Sequence, residues 1–270
     1  MKIAHISDLH FVKRSWNPTQ FFSKRWLGNL NSLFIRRKDF DYAKLEKLPS
    51  HLKSLGVSLV IISGDVTTTS DKREFELARA FTASLEKEGL EVICIPGNHD
   101  HYTRSDYRNR TFYNYFPSSW DTSLGCNLKN DGVTAKKLCP GWWIVGLDTA
   151  CSTSWVYSTG YFHPRTEKAL DELLQKLPEQ ILLVNHFPFF QHESKRKVML
   201  RGPSLQHLVE KFPQVKIYCH GHTHRRCIAP LEASGLPLIL DPGSTTHRSN
   251  DGWHLIEIQE NTYSQKWIPL

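Results

Sequence analysis

Five short polar clusters punctuate this chain, each at the end of an apolar run. They are Asp8-Leu9-His10, Gly64-Asp65, Gly97-Asn98-His99-Asp100, His186 and Gly221-His222-Thr223-His224. Their side chains are carboxylates, imidazoles and one amide. That mixture suits a divalent ion such as Mn, Fe or Zn rather than a thiolate-type site. In an extended strand, residues two apart face one side, so Asp8 would project with His10, and His222 with His224. Taken singly, each cluster reads equally as a capped turn or a surface pair. Pro96-Gly97 would stop a strand and turn the chain whatever followed. The stronger case lies in the ordered set. His220 stands outside it and reads as a strand residue.

The elements that must hold these clusters follow from periodicity. Apolar runs at 2–7, 57–63, 90–95, 142–147, 181–184 and 215–219 read as strands, the second covered on both faces. Helical patterns span 41–55, 72–88, 165–177 and 203–212, with Gly56 and Gly89 as stops and Pro49 a point of interruption. Strands alternating with helices predict a sheet with crossover helices, whose strand ends share one edge. The clusters would then converge. Later runs, at 236–240 and 253–258, read as antiparallel strands. No internal repeat or linker divides the chain, so one domain over 1–270 is expected.

Two segments break the pattern. Residues 11–40 carry Lys13, Arg14, Lys24, Arg25, Arg36, Arg37 and Lys38 among aromatics and leucines. Within them, 18–35 fits an amphipathic helix. A lid over an acidic substrate, contact of residues 13–38 with an anionic membrane surface, and a packed helix with a solvated basic face all fit. Residues 101–120 are dense in Tyr, Phe and Arg, which reads as a cap with anion-binding arginines or as plain surface. Arg104 and Arg108 there, and Arg196 on a polar loop at 191–201 read as mobile over the site, are the candidates for substrate binding.

Composition narrows the class. The chain is 40% hydrophobic and 23% charged, ordinary for a soluble globular protein. Its net charge of +7 favours anionic partners. Six cysteines form no CxxC pair, which points to a reduced cytosolic protein. No apolar run reaches the roughly 18 residues of a membrane span. The expected location is cytoplasmic, free or peripheral on the inner face of the membrane.

The ordered set resembles the calcineurin-like metallophosphoesterases, whose pattern is D-x-H, GD, GNH[D/E], H and GHxH. All five segments match, from Asp8 to His224. The resemblance implies a four-layer α/β/β/α sandwich of mixed sheets flanked by helices. It implies a two-metal site in which Asp8, His10, Asp65 and His224 hold the first ion. Asp65 bridges to the second, which Asn98, His186 and His222 complete. Mn is expected first, with Fe, Zn or Mg as alternatives. Two cations roughly 3.5–4 Å apart would clamp a phosphate and acidify a bridging water into the nucleophile. In similar enzymes a histidine placed as His99 is protonates the leaving oxygen or stabilises its charge, with Asp100 orienting the ring.

The implied substrate is a phosphate ester. The region 62–65 and the compact length are similar to bacterial cyclic-nucleotide phosphodiesterases. The alternative is a nucleotide-sugar lipid pyrophosphatase, similar to UDP-diacylglucosamine hydrolases, suggested by the basic aromatic segment. A non-catalytic scaffold of this fold would have lost ligands, whereas all eight core residues stand here. A nucleic-acid partner is disfavoured, because the extra gripping domains of nuclease members are not visible. Nothing in the pattern sets an oligomeric state.

Overall fold

The computed structural model describes residues 1–13, 40–154, 157–190, 194–249 and 251–270. In chain order the elements are β1 (Lys2–Ile6), α1 (Ala43–Ser54), β2 (Leu59–Ile62), α2 (Lys72–Lys87), β3 (Glu91–Cys94), α3 (Arg104–Asn109) and α4 (Leu128–Asp131). Then come β4 (Val133–Cys139), β5 (Trp142–Leu147), β6 (Gly160–Tyr161), α5 (Pro164–Lys176), β7 (Gln180–Val184), β8 (Met199–Leu200) and α6 (Gly202–Lys211). The chain closes with β9 (Val215–Cys219), β10 (Arg226–Pro230), β11 (Leu238–Pro242), β12 (Gly252–Ile258) and β13 (Tyr263–Pro269).

Two mixed sheets form the centre. The first runs β13-β12-β1-β2-β3, with β1, β2 and β3 parallel, β12 antiparallel to β1 and β13 antiparallel to β12. The second runs β10-β11-β9-β7-β5-β4, parallel through its middle four strands and antiparallel at both edges. Side-chain alternation explains their stacking. Ile3, Leu59, Ile61 and Ile93 face Ile144, Leu182, Ile217 and Leu240 between the sheets. On the other face of the first sheet, Ala4, Ile6, Val60 and Ile62 meet Leu45, Leu48, Leu52, Phe75 and Phe81 of α1 and α2. On the other face of the second, Val145, Leu183 and Tyr218 meet Leu170, Leu174, Leu205 and Val209 of α5 and α6. This is a four-layer α/β/β/α sandwich. Ile61, wholly buried between the sheets, would cost about 2–5 kcal/mol as Ala.

Local sequence accounts for the helices. Asp71 caps α2 in a capping box with Glu74. Helix α1 continues through Pro49 rather than breaking there. The proline forgoes one backbone bond, and its buried ring packs with the helix's apolar face.

Part of residues 101–120 packs into the fold. Phe112 and Phe116 are buried in the outer core of the first sheet. Phe112 packs on Phe75 at 6.3 Å, and Tyr115 stacks on the same ring at 4.7 Å. The aromatic density there serves packing, while Arg104 and Arg108 are exposed. The basic segment at 13–38 lies outside the described residues except for Lys13. Among the described residues, no helix is long and apolar enough to cross a membrane. All six cysteines are free thiols.

Candidate metal centre

Each strand that leads to a cluster stops at least one residue before it. β1 ends at Ile6, β2 at Ile62, β3 at Cys94, β7 at Val184 and β9 at Cys219. The polar residues therefore sit on loops, not on extended strand. Asp8 (φ 54°), His10 (48°), Asp65 (53°), His222 (70°) and His224 (55°) all take the left-handed region. That region is sparsely used by non-glycine residues, and strain of this kind collects at functional sites. The two-residue strand periodicity expected for Asp8 with His10, and for His222 with His224, does not hold. Loop pairing aims these side chains instead. Asp8, His10 and Phe11 donate their N–H groups to the carbonyls of Gly64, Asp65 and Val66 at 3.1, 2.9 and 2.9 Å.

Two glycines let the loops close. A Cβ on Gly97 would lie 2.2 Å from Asp65 Oδ1, and one on Gly221 would lie 2.0 Å from Ser7 Oγ and 2.5 Å from Asp8 Oδ2. No larger residue fits either place.

Both carboxylates divide their oxygens. Asp8 Oδ2 accepts from Ser7 Oγ (2.7 Å) and the His222 N–H (3.0 Å). Its Oδ1 lies 3.1 Å from His224 Nε2 and 3.7 Å from His10 Nε2. Asp65 Oδ1 accepts the His99 N–H at 2.7 Å. Its Oδ2 lies 3.7 Å from His10 Nε2 and 3.4 Å from His186 Nε2. One oxygen of each acid ties two loops together, and the other faces a group of imidazoles.

Those imidazoles are oriented from behind. His186 Nδ1 is 2.8 Å from the Ser63 carbonyl, and His222 Nε2 is 2.8 Å from the Lys197 carbonyl. A carbonyl only accepts, so each contacted nitrogen carries the hydrogen and the other is left for a ligand. The buried His186 Nε2 and Asn98 Oδ1 have no hydrogen-bond partner. The Nε2 atoms of His10 and His224 are 3.0 Å apart.

Three sets of donor atoms lie within 4.8 Å of one another: Asp8, His10 and His224; His10, Asp65 and His99; and Asp8, Asp65 and His186. Divalent cations fit here. They would take up the orphaned nitrogen and amide oxygen, and they match the acid–imidazole–amide donor set. His222 lies outside the three sets, its ring 5.3 Å from that of His186. His99, expected not to be needed as a ligand, falls within one.

Charge follows from the geometry. Burial alone would raise the Asp8 carboxyl, but His224, His10 and His186 outweigh it and hold it well below its usual range. Burial opposes His186, His99 and His10 at Asp65 in the same way, and the imidazoles again prevail. Burial would lower His186, yet Asp65 and Asp8 lift it to about 9. His222, buried and beside His186, falls to about 3.

The expectation for Asp100 needs correction. Its carboxylate does not meet the His99 ring. It accepts from the Gly97, Val66 and Thr67 N–H groups at 2.9, 3.2 and 2.9 Å and from Thr67 Oγ1 at 2.8 Å. It therefore braces the 97–100 turn against the 65–67 loop. The His99 ring is held by Thr68, whose carbonyl is 2.6 Å from Nδ1.

Of the candidate arginines, Arg104, Arg108 and Arg196 are all exposed. Arg196 stands next to Lys197, whose carbonyl meets His222. Asp148 lies outside the three donor sets. It follows β5 and accepts from Tyr113 Oη at 2.6 Å, with Arg110 at 3.4 Å and His101 at 3.5 Å.

Two mixed sheets that bring acid and imidazole loops to one edge define a metallohydrolase class of site. The profile of the calcineurin-like phosphoesterase family matches residues 1–226, and the chain belongs to that family. It is a phosphoric ester hydrolase, from a family that works through a dinuclear divalent metal centre. A 3',5'-cyclic-nucleotide phosphodiesterase of Nostoc sp. is 23% identical over 231 residues, 83% of this chain and 72% of that protein. Among solved structures, a dimetal phosphatase from Danio rerio superposes with a TM-score of 0.69 at 14% identity, covering 98% of this chain and 95% of its own. A purple acid phosphatase from yellow lupin (Lupinus luteus) seeds gives 0.58 at 13% identity, covering 98% of this chain. This chain spans about half, 51%, of the lupin protein. At such identities the structural likeness is one of fold.

Proposed function

We propose that the protein is a phosphodiesterase working at a two-metal centre. The observation that carries this is the position of Asp65 Oδ2, 3.7 Å from His10 Nε2 and 3.4 Å from His186 Nε2. One carboxylate oxygen thus faces imidazoles from both sheets, as a bridging ligand must. Asp8, His10, Asp65 and His224 would hold one ion; Asp65, Asn98, His186 and His222 would hold the other. Bound there, the ions supply Lewis acidity toward the phosphoryl oxygens and a water acidified to serve as nucleophile. Mn is the ion we expect first.

The chain's own residues do the rest. With Nδ1 committed to Thr68, His99 keeps Nε2 for exchanging a proton with the leaving oxygen. Asp100 keeps the 97–100 turn in place. Arg196, next in sequence to the Lys197 whose carbonyl orients His222, is the arginine we assign to meet a phosphate. Preference for a diester draws support from the Nostoc relative. A cytoplasmic location and an anionic membrane contact through residues 13–38 belong to the same reading, and rest on composition.

The test is turnover of bis-p-nitrophenyl phosphate and p-nitrophenyl phosphate by metal-stripped protein given Mn, Mg, Zn or Fe. Faster diester than monoester cleavage, greatest with Mn, is expected. Folded protein inert with every ion would overturn the proposal. Liposome sedimentation tests the membrane contact: neutralising the basic residues at 13–38 should release the protein from anionic vesicles.

A further inference from the structure

The His99 ring rests on a peptide, and that peptide rests on a buried acid. Nδ1 donates to the Thr68 carbonyl at 2.6 Å. The same peptide unit ends in the Thr69 N–H, which donates to Glu74 Oε2 at 2.7 Å. Across a trans peptide, C=O and N–H point in opposite directions within one rigid plane. Carboxylate, peptide and imidazole therefore form one continuous hydrogen-bonded chain.

We propose that Glu74 is the positioning residue for His99, acting through the Thr68–Thr69 peptide in the place the sequence assigns to Asp100. The proposal rests on the reading that His99 serves the leaving oxygen.

Glu74 does more than cap its helix. A capping box asks of it one bond, to the Asp71 N–H, present here at 3.3 Å. Its Oε2 also accepts from Thr68 N–H (3.3 Å) and Thr69 Oγ1 (3.1 Å). Its Oε1 faces the Lys13 N–H at 3.4 Å. The side chain is wholly buried, and burying a carboxylate is costly unless such donors surround it. The loop it gathers holds His99 by its backbone as well. Ser70 Oγ donates to the His99 carbonyl at 2.8 Å, and Thr67 Oγ1, whose hydrogen goes to Asp100, lies 3.1 Å from it. Ser70 holds a left-handed φ of 55° to do so.

Two consequences follow for the ring. The carbonyl fixes the hydrogen on Nδ1 and leaves Nε2 to exchange protons. Above about pH 7, where the Glu74 carboxyl is ionised, it polarises the carbonyl at the other end of the peptide and strengthens that bond. A carboxylate in direct contact would do the same work, with the added tendency to take the proton itself.

The test compares Glu74→Gln, Glu74→Ala, His99→Asn and the double variant Glu74→Ala/His99→Asn. The first readout is the His99 Nδ1–H proton resonance in metal-free protein, assigned by its loss in His99→Asn. It should shift or vanish by exchange in both Glu74 variants. The second readout is kcat on two diesters under Mn. An alkyl leaving group needs a proton, whereas p-nitrophenolate departs unaided. Glu74→Ala should slow the alkyl diester about tenfold or more and the p-nitrophenyl diester less than about twofold. In the double variant, the Glu74 change should add nothing to the His99 loss.

An unmoved resonance, or equal losses on both diesters with His99→Asn still selective, would overturn the positioning role. If His99→Asn itself shows no leaving-group selectivity, the reading of His99 fails, and the resonance still decides whether Glu74 holds the ring. Should Glu74→Ala not fold, Glu74→Gln carries both readouts, because its amide oxygen can face Thr69 without the charge.

Discussion

The site works by dividing single residues between two tasks. Asp8 and Asp65 each give one oxygen to a neighbouring loop and turn the other toward imidazoles. Asn98 is simpler, since its buried Oδ1 has no hydrogen-bond partner. An orphaned acceptor of this kind costs about 1–3 kcal/mol, which a cation would offset. Asn98→Ala should therefore raise the melting temperature of metal-free protein, yet cut the rise on adding Mn and reduce bound metal from about two equivalents to about one. Elemental analysis and calorimetry measure both. Glu74 offers a test at the same scale. Burial lifts its carboxyl from 4.5 to about 7. Between those values the folded chain keeps a proton that the unfolded chain releases. The contribution to stability is thus fully present below pH 4.5 and lost as pH rises through 7, about 3 kcal/mol in all. Glu74→Gln has no such proton. Urea unfolding should show wild type losing stability relative to the variant from pH 4.5 to pH 8; parallel profiles would contradict the assignment.

Loops rather than strands aim the chemistry, and the glycines within them set how closely they approach. A Cβ at Gly221 would strike Ser7 and the carboxylate of Asp8. Gly221→Ala should push the 220–224 turn outward and weaken Mn binding by about tenfold or more, with far-UV circular dichroism unchanged. An Mn titration measures this. Farther from the centre, Asp148 ties Tyr113, Arg110 and His101 to the end of β5. Asp148→Ala should speed amide hydrogen exchange through 104–116 while leaving the two sheets protected. How far the sequence disclosed this level depends on what is local. Strands and clusters were legible because apolar runs and their polar ends are local patterns. The left-handed conformations of Asp8 and His10 were not, since these residues pair with the 64–65 loop far along the chain. The same holds for Asp100, whose neighbour His99 suggested a partner, whereas the actual bonds go to Gly97, Val66 and Thr67. Nor was there a local sign of where the aromatics at 101–120 pack, since Phe75, on which Phe112 and Tyr115 rest, lies earlier in the chain.

In the whole molecule, the centre joins two sheets that otherwise meet through apolar packing. Asp8, His10, Asp65 and Asn98 follow strands of the first; His186, His222 and His224 follow strands of the second. Sheet order itself was beyond a local reading, since β1 lies between β2 and β12 and pairs Lys2 with Glu257. Ions bound at such a junction bind only when both sheets are in place, so they stabilise the fold by linkage. One ion at a hundred times its dissociation constant adds about 2.7 kcal/mol. For a chain of this size that is a rise in melting temperature of roughly 5–10 °C. The rise depends on pH in a definite direction. Although burial opposes it, Asp65 lifts His186 to about 9 in metal-free protein, so at neutral pH this ring carries a proton that an incoming cation must displace. His222, held down to about 3, has none to lose. Raising pH from 6 toward 9 should therefore tighten metal binding and enlarge the Mn-induced rise, with proton release during loading. Calorimetric scans at fixed free Mn, with and without chelator, give the temperatures, and titrations in buffers of different ionisation enthalpy count the protons. A rise that does not grow with pH, or loading without proton release, would remove His186 from the centre and leave the ion of Asp8, His10, Asp65 and His224.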